Sequence, residues 1–445
     1  MRPAQFQMKQ PKKFNPSLIA IGGISCLVAV CSVFFLGSLI FVGRNMLQER
    51  TAPSETLPLP DQLDEIESQV RALRGWQLDG EIDRNLLTAE ELRAHLLTEL
   101  EETYSPEEAR DDTRSLAALG LLDAEFDLYS FYLDLYSETV LGLYDPEDDA
   151  IFILNNSEDF DVTARSTYAH EYQHALQDQR YDVEALGFSE EGWKTDPERA
   201  AAIQALIEGE ATFLEVQWIQ ANLNRSEFGL LVAESAAGPG DLISNAPQWL
   251  QDDFYFPYEK GFDFVERLYA DGGWEALNEV YAQPPISTEM ILHPEKYIAG
   301  DLPLEIPEFE LSDALSEGWE EIDRSQLGEW WTLLVLREHI SEDEATEAAA
   351  GWGGNSYVAY FNESDLATVM VSHWAWDSAQ EADEFFAAFR AYGDNRFGTP
   401  QTTQGNRICW NAETINCLLF TLNESLWVLA PDSNMLERVL VHLNF

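Results

Sequence analysis

An uncharged run of 25 residues lies near the N-terminus, where positions 18–42 read LIAIGGISCLVAVCSVFFLGSLIFV. At 1.5 Å of rise per residue, a helix of this length covers a hydrocarbon core of ~30 Å. The run is longer than the ~7–15 apolar residues of a cleaved signal peptide, and no convincing cleavage site follows it. Because basic residues precede the run, we predict one transmembrane helix with residues 1–17 in the cytoplasm and the rest of the chain outside.

The charge of the chain is strongly negative. Its 445 residues, enough for two or three domains, include 80 Asp and Glu against 26 Lys and Arg, for a formal net charge of -54. Such a surface repels phosphate, so nucleic-acid binding is excluded as a function class. The carboxylates are scattered along the chain, which favours a role in solvation over attraction of basic substrates.

The first part after the apolar run is predicted to be helical. Thr88 and Glu91 have the spacing of a capping box, and Ser105 followed by Pro106 is typical of a second helix start. We interpret this region as a helical segment that follows a linker rich in Pro and Thr. Whether this helical segment restrains the rest like a pro-region is left open.

The pattern then changes to a hairpin followed by two long helices. Apolar runs on both sides of Asp-Pro-Glu-Asp-Asp at 145–149 predict a β-hairpin. Helices are expected at about 163–186 and 197–223, and a shift in composition near 307 indicates a separate small α/β domain. The fold class is therefore predicted to be α+β, with a transmembrane helix, a mostly helical domain with a small sheet, and the α/β domain. The predicted segments are 1–17 cytoplasmic tail, 18–42 membrane helix, 43–60 linker, 61–135 helical segment, 136–307 catalytic domain and 308–445 C-terminal domain.

The C-terminal part carries two cysteines and several tryptophans. Cys409 and Cys417 flank a predicted turn between two strands, where they are either bridged or reduced. The tryptophans are interpreted as core residues rather than as a binding surface for substrate or glycan; they are Trp330, Trp331, Trp352 and Trp374.

The sequence His-Glu-x-x-His carries the functional prediction. It occupies His170, Glu171 and His174 on the first of the two long helices. Residues four apart share one helix face, so the two imidazoles can bind one metal ion. Glu171 reaches the same cleft as a carboxylate that takes a proton from metal-bound water. A match by chance should be rare, because the chain has only seven histidines.

A third ligand is predicted on the second long helix. Glu208 and Glu210 stand in the mostly apolar stretch ALIEGEATFLE. Burying such carboxylates is costly unless they bind a cation or find partners. The two are ~200° apart around the helix, so only one of them can point at the metal ion. We choose Glu208, and the predicted Zn²⁺ ligands are therefore His170, His174 and Glu208.

These motifs resemble those of the gluzincin-type zinc metallopeptidases, and the likeness covers roughly residues 136–225. In that class the Glu before Gly is the third ligand, which corresponds to Glu208, and the Glu of the histidine motif is the base, which corresponds to Glu171. The resemblance also implies an edge strand that holds an extended peptide, for which 140–144 and 150–154 are the candidates. The segments HEYQHALQDQ, HPEKY and GWGG also resemble those of uncharacterised membrane-anchored bacterial proteins, and this likeness covers most of the part predicted to lie outside the cell.

The resemblance implies hydrolysis of peptide bonds in a peptide or protein substrate outside the cell. Related enzymes add a Tyr or His that stabilises the oxyanion, for which Tyr258 and His293 are the candidates. The metzincin subclass is excluded, because Gln177 and Arg180 stand where that pattern needs Gly and His. Two other readings stay open: an inactive domain of this type that acts as a binding or assembly module, and a zinc hydrolase with a different substrate.

Overall fold

The computed structural model describes residues 27–30, 57–78, 80–155, 160–235 and 241–444. Helices dominate the part before residue 300, and a second sheet with flanking helices follows. The helices of the first part are α1 Leu59–Arg74, α2 Ala89–Thr103, α3 Pro106–Leu119, α4 Leu128–Thr139, α5 Val162–Tyr181, α6 Val183–Leu186, α7 Glu190–Thr195, α8 Pro197–Asn222, α9 Arg225–Ser235, α10 Asp241–Asn245, α11 Gln248–Val280, α12 Thr288–Leu292 and α13 Pro294–Ala299.

A four-stranded sheet lies within this helical part. Its strands are β1 Leu27–Val30, β2 Asp83–Leu87, β3 Val140–Asp145 and β4 Ala150–Leu154, in the order β1-β3-β4-β2. β3 and β4 form the antiparallel hairpin that the sequence predicts, and β2 runs parallel to β4. Both β3 and β4 have a neighbour on each side. The expectation that one of them is a free edge strand is therefore wrong.

The prediction of a transmembrane helix at 18–42 is wrong as well. Leu27–Val30 is a strand that pairs antiparallel with β3, so its backbone hydrogen bonds are made to a sheet. Val28 and Val30 favour the strand, because β-branched residues are enriched in strands. Among the residues that the structure describes, no helix is long and apolar enough to cross a membrane. The predicted single-pass membrane location depended on this helix and is wrong with it.

The rest of the predicted N-terminal segments lies mostly outside the described residues. This applies to the tail at 1–17, to the remaining positions of 18–42, and to the linker at 43–60 as far as residue 56. Helix α1 begins at Leu59, inside the predicted linker. The last two residues of that linker are therefore helical.

Local capping signals set the starts of the helices. The capping box of Thr88 and Glu91 begins α2, and a second box with Ser105 begins α3, as predicted. Asp161 caps α5 by accepting a hydrogen bond from the Ala164 N–H. The helix predicted to end at 186 ends at Tyr181 instead, because Asp182 adopts a left-handed conformation with φ 54°. A short helix, α6, follows this break.

The C-terminal part is built on a seven-stranded sheet. Its strand order is β5-β6-β7-β11-β10-β9-β8, and every described pair is antiparallel. The predicted small α/β domain is therefore better described as α+β, in keeping with the overall α+β class. Its elements are β5 Trp319–Ser325, α14 Gly328–Arg337, α15 Glu342–Ala349, β6 Trp352–Asn362, β7 Ala367–Trp376, α16 Ala379–Phe397, β8 Thr402–Gln404, β9 Arg407–Asn411, β10 Ile415–Phe420, β11 Glu424–Ala430 and α17 Ser433–Leu443.

Two features of this sheet answer questions that the sequence leaves open. Cys409 and Cys417 lie opposite each other on β9 and β10 and form a disulfide. The four tryptophans singled out above are at most 5% exposed, so their interpretation as core residues is confirmed.

One hydrophobic core joins the two parts of the chain. It contains residues from α1 through to β11, on both sides of the predicted boundary at 307. Trp249 of α11 packs against Trp331 of α14 with ring centroids 5.6 Å apart. The Tyr392 hydroxyl of α16 donates a hydrogen bond to the Leu119 carbonyl at the end of α3. The boundary itself stays a prediction, but the contacts that cross it are buried.

Candidate metal centre

The two histidines of the motif lie one helical turn apart on α5. Their rings are edge-to-face with centroids 4.7 Å apart. α8 packs beside α5 and brings Glu208 to the same point. The Glu208 Oε2 atom lies 3.2 Å from His170 Nε2 and 3.3 Å from His174 Nε2. The structure thus brings together the three side chains that the sequence singles out as ligands, and all three are buried.

These separations suit a small tetrahedral ion. Zinc binds imidazole nitrogen and carboxylate oxygen at about 2.0–2.2 Å, usually with tetrahedral angles. Two ligand atoms at that bond length and angle lie about 3.3–3.6 Å apart. The distances from Glu208 to the two imidazoles are close to that range. The donor set of two nitrogens and one oxygen also matches known zinc sites.

Outer partners orient both imidazoles. His174 Nδ1 lies 2.9 Å from Gln177 Oε1, while the Gln177 amide nitrogen donates to the Ile207 carbonyl and to the Tyr281 hydroxyl. Since the amide oxygen can only accept, His174 carries a proton on Nδ1, and its Nε2 atom faces Glu208. His170 Nδ1 faces the Glu215 carboxylate at 3.4 Å. Such partners are typical of histidines that ligate metals.

The charges of the cluster depend on each other. Burial works against protonation of His170, but hydrogen bonds and the charges of Glu208 and Glu215 outweigh it and raise the pKa of this imidazole. Burial likewise disfavours the charged form of Glu208, but the two histidines lower the pKa of its carboxyl below the usual value. The two shifts have one origin, because each group stabilises the charged form of the other.

Glu210 has a different set of partners, which explains why it is not part of the cluster. Its carboxylate accepts hydrogen bonds from Arg74 Nε at 2.6 Å, from the Gln173 amide at 2.8 Å and from the Tyr281 hydroxyl at 2.7 Å. Arg74 is the last residue of α1, so this helix supplies the counter-charge. Glu208 and Glu210 of α8 thus each have partners of opposite charge or hydrogen-bond donors.

The predicted base lies within the same buried region. Glu171 follows His170 on α5, about 100° further around the helix, and its side chain is fully buried. The structure gives it the position in sequence and depth that the prediction requires. Its role as a base stays a prediction.

The two residues predicted to stabilise the oxyanion, His293 and Tyr258, lie outside the group of candidate ligands. His293 Nε2 contacts Glu329 Oε1 of α14 at 2.8 Å, and His293 Nδ1 faces Glu295. Tyr258 lies in α11 within the hydrophobic core and is 9% exposed. Neither residue belongs to the metal-binding group formed by the two motif histidines and Glu208.

Some residues of the site were not identified from the sequence, although a signal existed for two of them. Gln177 follows His174 by three positions, and Glu215 follows Glu208 by seven, and both spacings keep side chains on one helix face. Asp178, on the same helix, accepts hydrogen bonds from the Tyr144 hydroxyl and the Val183 N–H. Arg74 and Tyr281 come from distant parts of the chain, and no local pattern indicates them.

Comparisons with known proteins reach only parts of the chain. Residues 314–439 match a family model described as a domain of unknown function, DUF8575. No curated protein matches the chain. A crystal structure from Chloroflexus aurantiacus, described as a proposed hydrolase with a novel fold, is similar at 16% identity over 62% of this chain and 98% of that one. Its TM-score of 0.36 is too low to carry an argument.

None of these comparisons names a zinc peptidase. The family match begins after α13 and ends within α17, so it contains none of the candidate metal ligands. The chain is similar to a protein described as a hydrolase, and its C-terminal sheet is similar to a family of unknown function.

Proposed function

We propose that this chain is a zinc-dependent hydrolase that cleaves peptide bonds. The observation that carries the proposal is the convergence of Glu208 Oε2 on the Nε2 atoms of His170 and His174, at 3.2 and 3.3 Å. These three residues would hold the ion. When bound, zinc polarises a carbonyl group and lowers the pKa of water toward ~7.

The remaining chemistry belongs to the side chains of the protein. Glu171 takes a proton from the attacking water and delivers it to the leaving amine. Gln177 and Glu215 hold the two imidazoles so that Nε2 of each faces Glu208, where the ion would bind. Tyr258 and His293 remain predicted partners of the oxyanion, and His293 would have to leave Glu329 to reach it.

Peptide as the substrate class depends on the resemblance of the motifs to gluzincin-type peptidases. In that class an extended peptide lies along a strand beside the motif helix. Here β1 pairs with β3 along that side, and α5 packs against the same strand. The Tyr144 hydroxyl donates a hydrogen bond to Asp178 of α5, and the backbone at Gly142 lies so close to α5 that an added Cβ would be 2.8 Å from the Thr167 methyl. A peptide must therefore take the place of β1 along β3.

Burial of the site favours a second candidate function. His170, Glu171 and His174 are 0% exposed and Glu208 is 1% exposed. Structural zinc sites are closed in this way, whereas catalytic sites keep one position open to water and substrate. The alternative is a module without catalytic activity, in which the ion stabilises the packing of α5 on α8.

The Glu171→Gln variant separates these functions. The purified chain is analysed for bound zinc and is incubated with an unfolded casein-type substrate, whose fragments are identified by mass spectrometry. For a peptidase, the variant keeps its zinc and loses hydrolysis, because the amide cannot act as a base. Glu184→Gln, an exposed change on α6, serves as the matched control and keeps both properties.

Three results would count against the peptidase. Unchanged hydrolysis in Glu171→Gln removes the base from its role. Bound zinc without any cleavage by the unmodified chain supports the structural module. Absence of zinc after incubation with the ion contradicts both functions.

A further inference from the structure

A second group of potential metal ligands lies outside the site described above. His95 and Glu99 are four residues apart on α2 and share one face of that helix. Asp145 stands at the end of β3. The three side chains each offer one ligand atom within 4.8 Å of the others, and His95 Nε2 is 3.2 Å from Glu99 Oε1.

Strand geometry places this group on the opposite face of the small sheet from the histidine motif. Side chains alternate between the two faces of a strand. Gly142 and Tyr144 contact α5, as shown by their approach to Thr167 and Asp178. Leu143 and Asp145 therefore point to the other face, where α2 packs. The two groups of ligands are separated by the sheet itself.

The packing of this face orients His95. Its ring stacks on Phe152 of β4 with centroids 4.5 Å apart and planes at 30°. Phe152 is the cross-strand partner of Leu143, so it lies on the same face as Asp145. The stacked ring presents its Nε2 atom to Glu99 rather than to solvent, and that nitrogen is buried.

Asp145 is also held in place. It is 7% exposed, and its Oδ1 atom accepts hydrogen bonds from the Glu147 and Asp148 N–H groups of the hairpin turn. These bonds fix the orientation of the carboxylate at the end of β3. A carboxylate fixed by its own turn needs no reorganisation to bind a cation, and this differs from a mobile surface side chain.

We propose that His95, Glu99 and Asp145 form a second metal site, for a divalent transition-metal ion such as Zn²⁺ or Mn²⁺. The two carboxylates neutralise the charge of such an ion. Imidazole nitrogen selects transition metals over Ca²⁺ and Mg²⁺, while the carboxylate oxygens suit harder ions of the same series. The ion links α2 to the turn between β3 and β4. This proposal does not depend on the function proposed for the histidine motif.

Counting bound ions in matched variants of the full chain tests the proposal. Equilibrium dialysis against Zn²⁺ is carried out with excess Mg²⁺, which suppresses weak binding to the acidic surface, and bound zinc is measured by mass spectrometry. We expect two ions for the unmodified chain and one for His95→Ala. One ion is also expected for the His170→Ala, His174→Ala double variant, and none when all three changes are combined.

Two further variants make the result specific. Glu101→Gln removes one exposed carboxylate from the same helix and should leave two ions bound. Glu99→Gln is the milder change if His95→Ala misfolds, as judged by circular dichroism. Loss of an outer partner weakens metal binding about 10–100-fold. Because Glu99 is a proposed ligand, Glu99→Gln should weaken binding of the second ion by more than that.

The proposal fails if His95→Ala and Glu99→Gln bind as many ions as the unmodified chain with the same affinity. It also fails if Glu101→Gln reduces binding as much as Glu99→Gln does, since the ion would then be attracted by net charge alone. Loss of zinc only in the double histidine variant of α5 would confirm the first site and exclude the second.

Discussion

Arg74 at the end of α1 donates a hydrogen bond of 2.6 Å to Glu210, two residues beyond the candidate ligand Glu208, and both side chains are fully buried. The guanidinium also lies 3.3 Å from the centre of the Trp76 ring and 4.4 Å from that of Trp274. Helix α1, which is far away in the sequence, therefore neutralises Glu210 of the pair Glu208 and Glu210 in α8. This arrangement leaves Glu208 as the carboxylate of that pair that faces the histidines.

Removing this guanidinium should destabilise the fold strongly. Arg74→Met leaves Glu210 buried without its counter-charge, and breaking such a pair costs about 3–5 kcal/mol. Urea unfolding followed by circular dichroism measures the loss. Arg267→Met removes an exposed arginine whose partner, Asp271, is also exposed, and should cost less than about 1 kcal/mol. Equal losses of stability in the two variants would show that the buried pair of Arg74 and Glu210 contributes no more than an exposed ion pair.

Metal content can test whether Glu208 or Glu210 is the ligand from α8. Glu208→Gln removes a charged oxygen from the candidate site and should lower zinc affinity by at least about tenfold, as metal ligands and their partners typically do. Glu210→Gln should keep zinc while lowering stability, because it affects the pair with Arg74. Zinc bound after dialysis gives the answer. Loss of the ion only in Glu210→Gln would mean that the ligand is assigned to the wrong residue.

The crossing of α8 and α11 depends on two glycines. A Cβ atom added at Gly209 would overlap the Gly261 backbone, and one added at Gly261 would overlap the Ala205 carbonyl. We expect Gly209→Ala to cost about 1–3 kcal/mol through overpacking. Gly229→Ala in α9 meets nothing within 4 Å, and it should be neutral or stabilise by up to about 1 kcal/mol. Chemical denaturation of both variants measures the change in the free energy of unfolding. A stabilised Gly209→Ala variant would contradict the close crossing of α8 and α11.

Stability should fall as the pH rises through neutrality, because of Glu198. This carboxyl is 1% exposed; burial, aided by the charges of Asp196 and Glu289, raises its pKa to about 8, despite two hydrogen bonds from Thr288. A folded-state pKa above the ordinary 4.5 means that the folded chain keeps a proton that the unfolded chain has lost. The contribution of Glu198 to the free energy of unfolding is therefore complete below about pH 4.5 and is lost by about pH 8. Between these values the free energy of unfolding falls by about 1.4 kcal/mol per pH unit.

Glu198→Gln removes this dependence, since the amide does not titrate. The stability of the variant relative to the unmodified chain should increase between pH 4.5 and 8 and stay level outside that window. Unfolding free energies at a series of pH values provide the measurement. Glu191→Gln, an exposed change on α7, should leave the profile unaltered. A parallel profile for Glu198→Gln would show that this carboxyl is ionised in the folded chain.

The parts of the fold that were predictable are those with local causes. The capping boxes at Thr88 and Ser105 and the hairpin around Asp145 depend on residues a few positions apart, and all three are present. The proximity of the candidate ligands was also predictable, because His170 and His174 share a helix face by their spacing. A buried carboxylate such as Glu208 requires a partner, and the histidines were the available one.

The parts that were not predictable depend on distant partners. The ion pair of Arg74 with Glu210 spans 136 positions, and no periodicity connects the two residues. Leu27–Val30 was predicted to be part of a helix because the 25-residue apolar run is long enough to span a hydrocarbon core. In the structure it pairs with β3, a strand more than 100 positions away in the sequence. The antiparallel order of the C-terminal sheet has the same origin, since strand pairing is decided across the chain.

The shared core has a practical consequence for anyone who wants to produce the candidate metal centre on its own. A recombinant fragment stopped near residue 307 would retain each candidate ligand of both sites. In that fragment the Trp249 indole would lose its contact with Trp331, and the Leu119 carbonyl would lose the hydrogen bond from the Tyr392 hydroxyl. Apolar surface that is buried in the full chain would then be exposed to water. The smallest piece worth expressing therefore runs from β1 to β11, so that both sheets are complete.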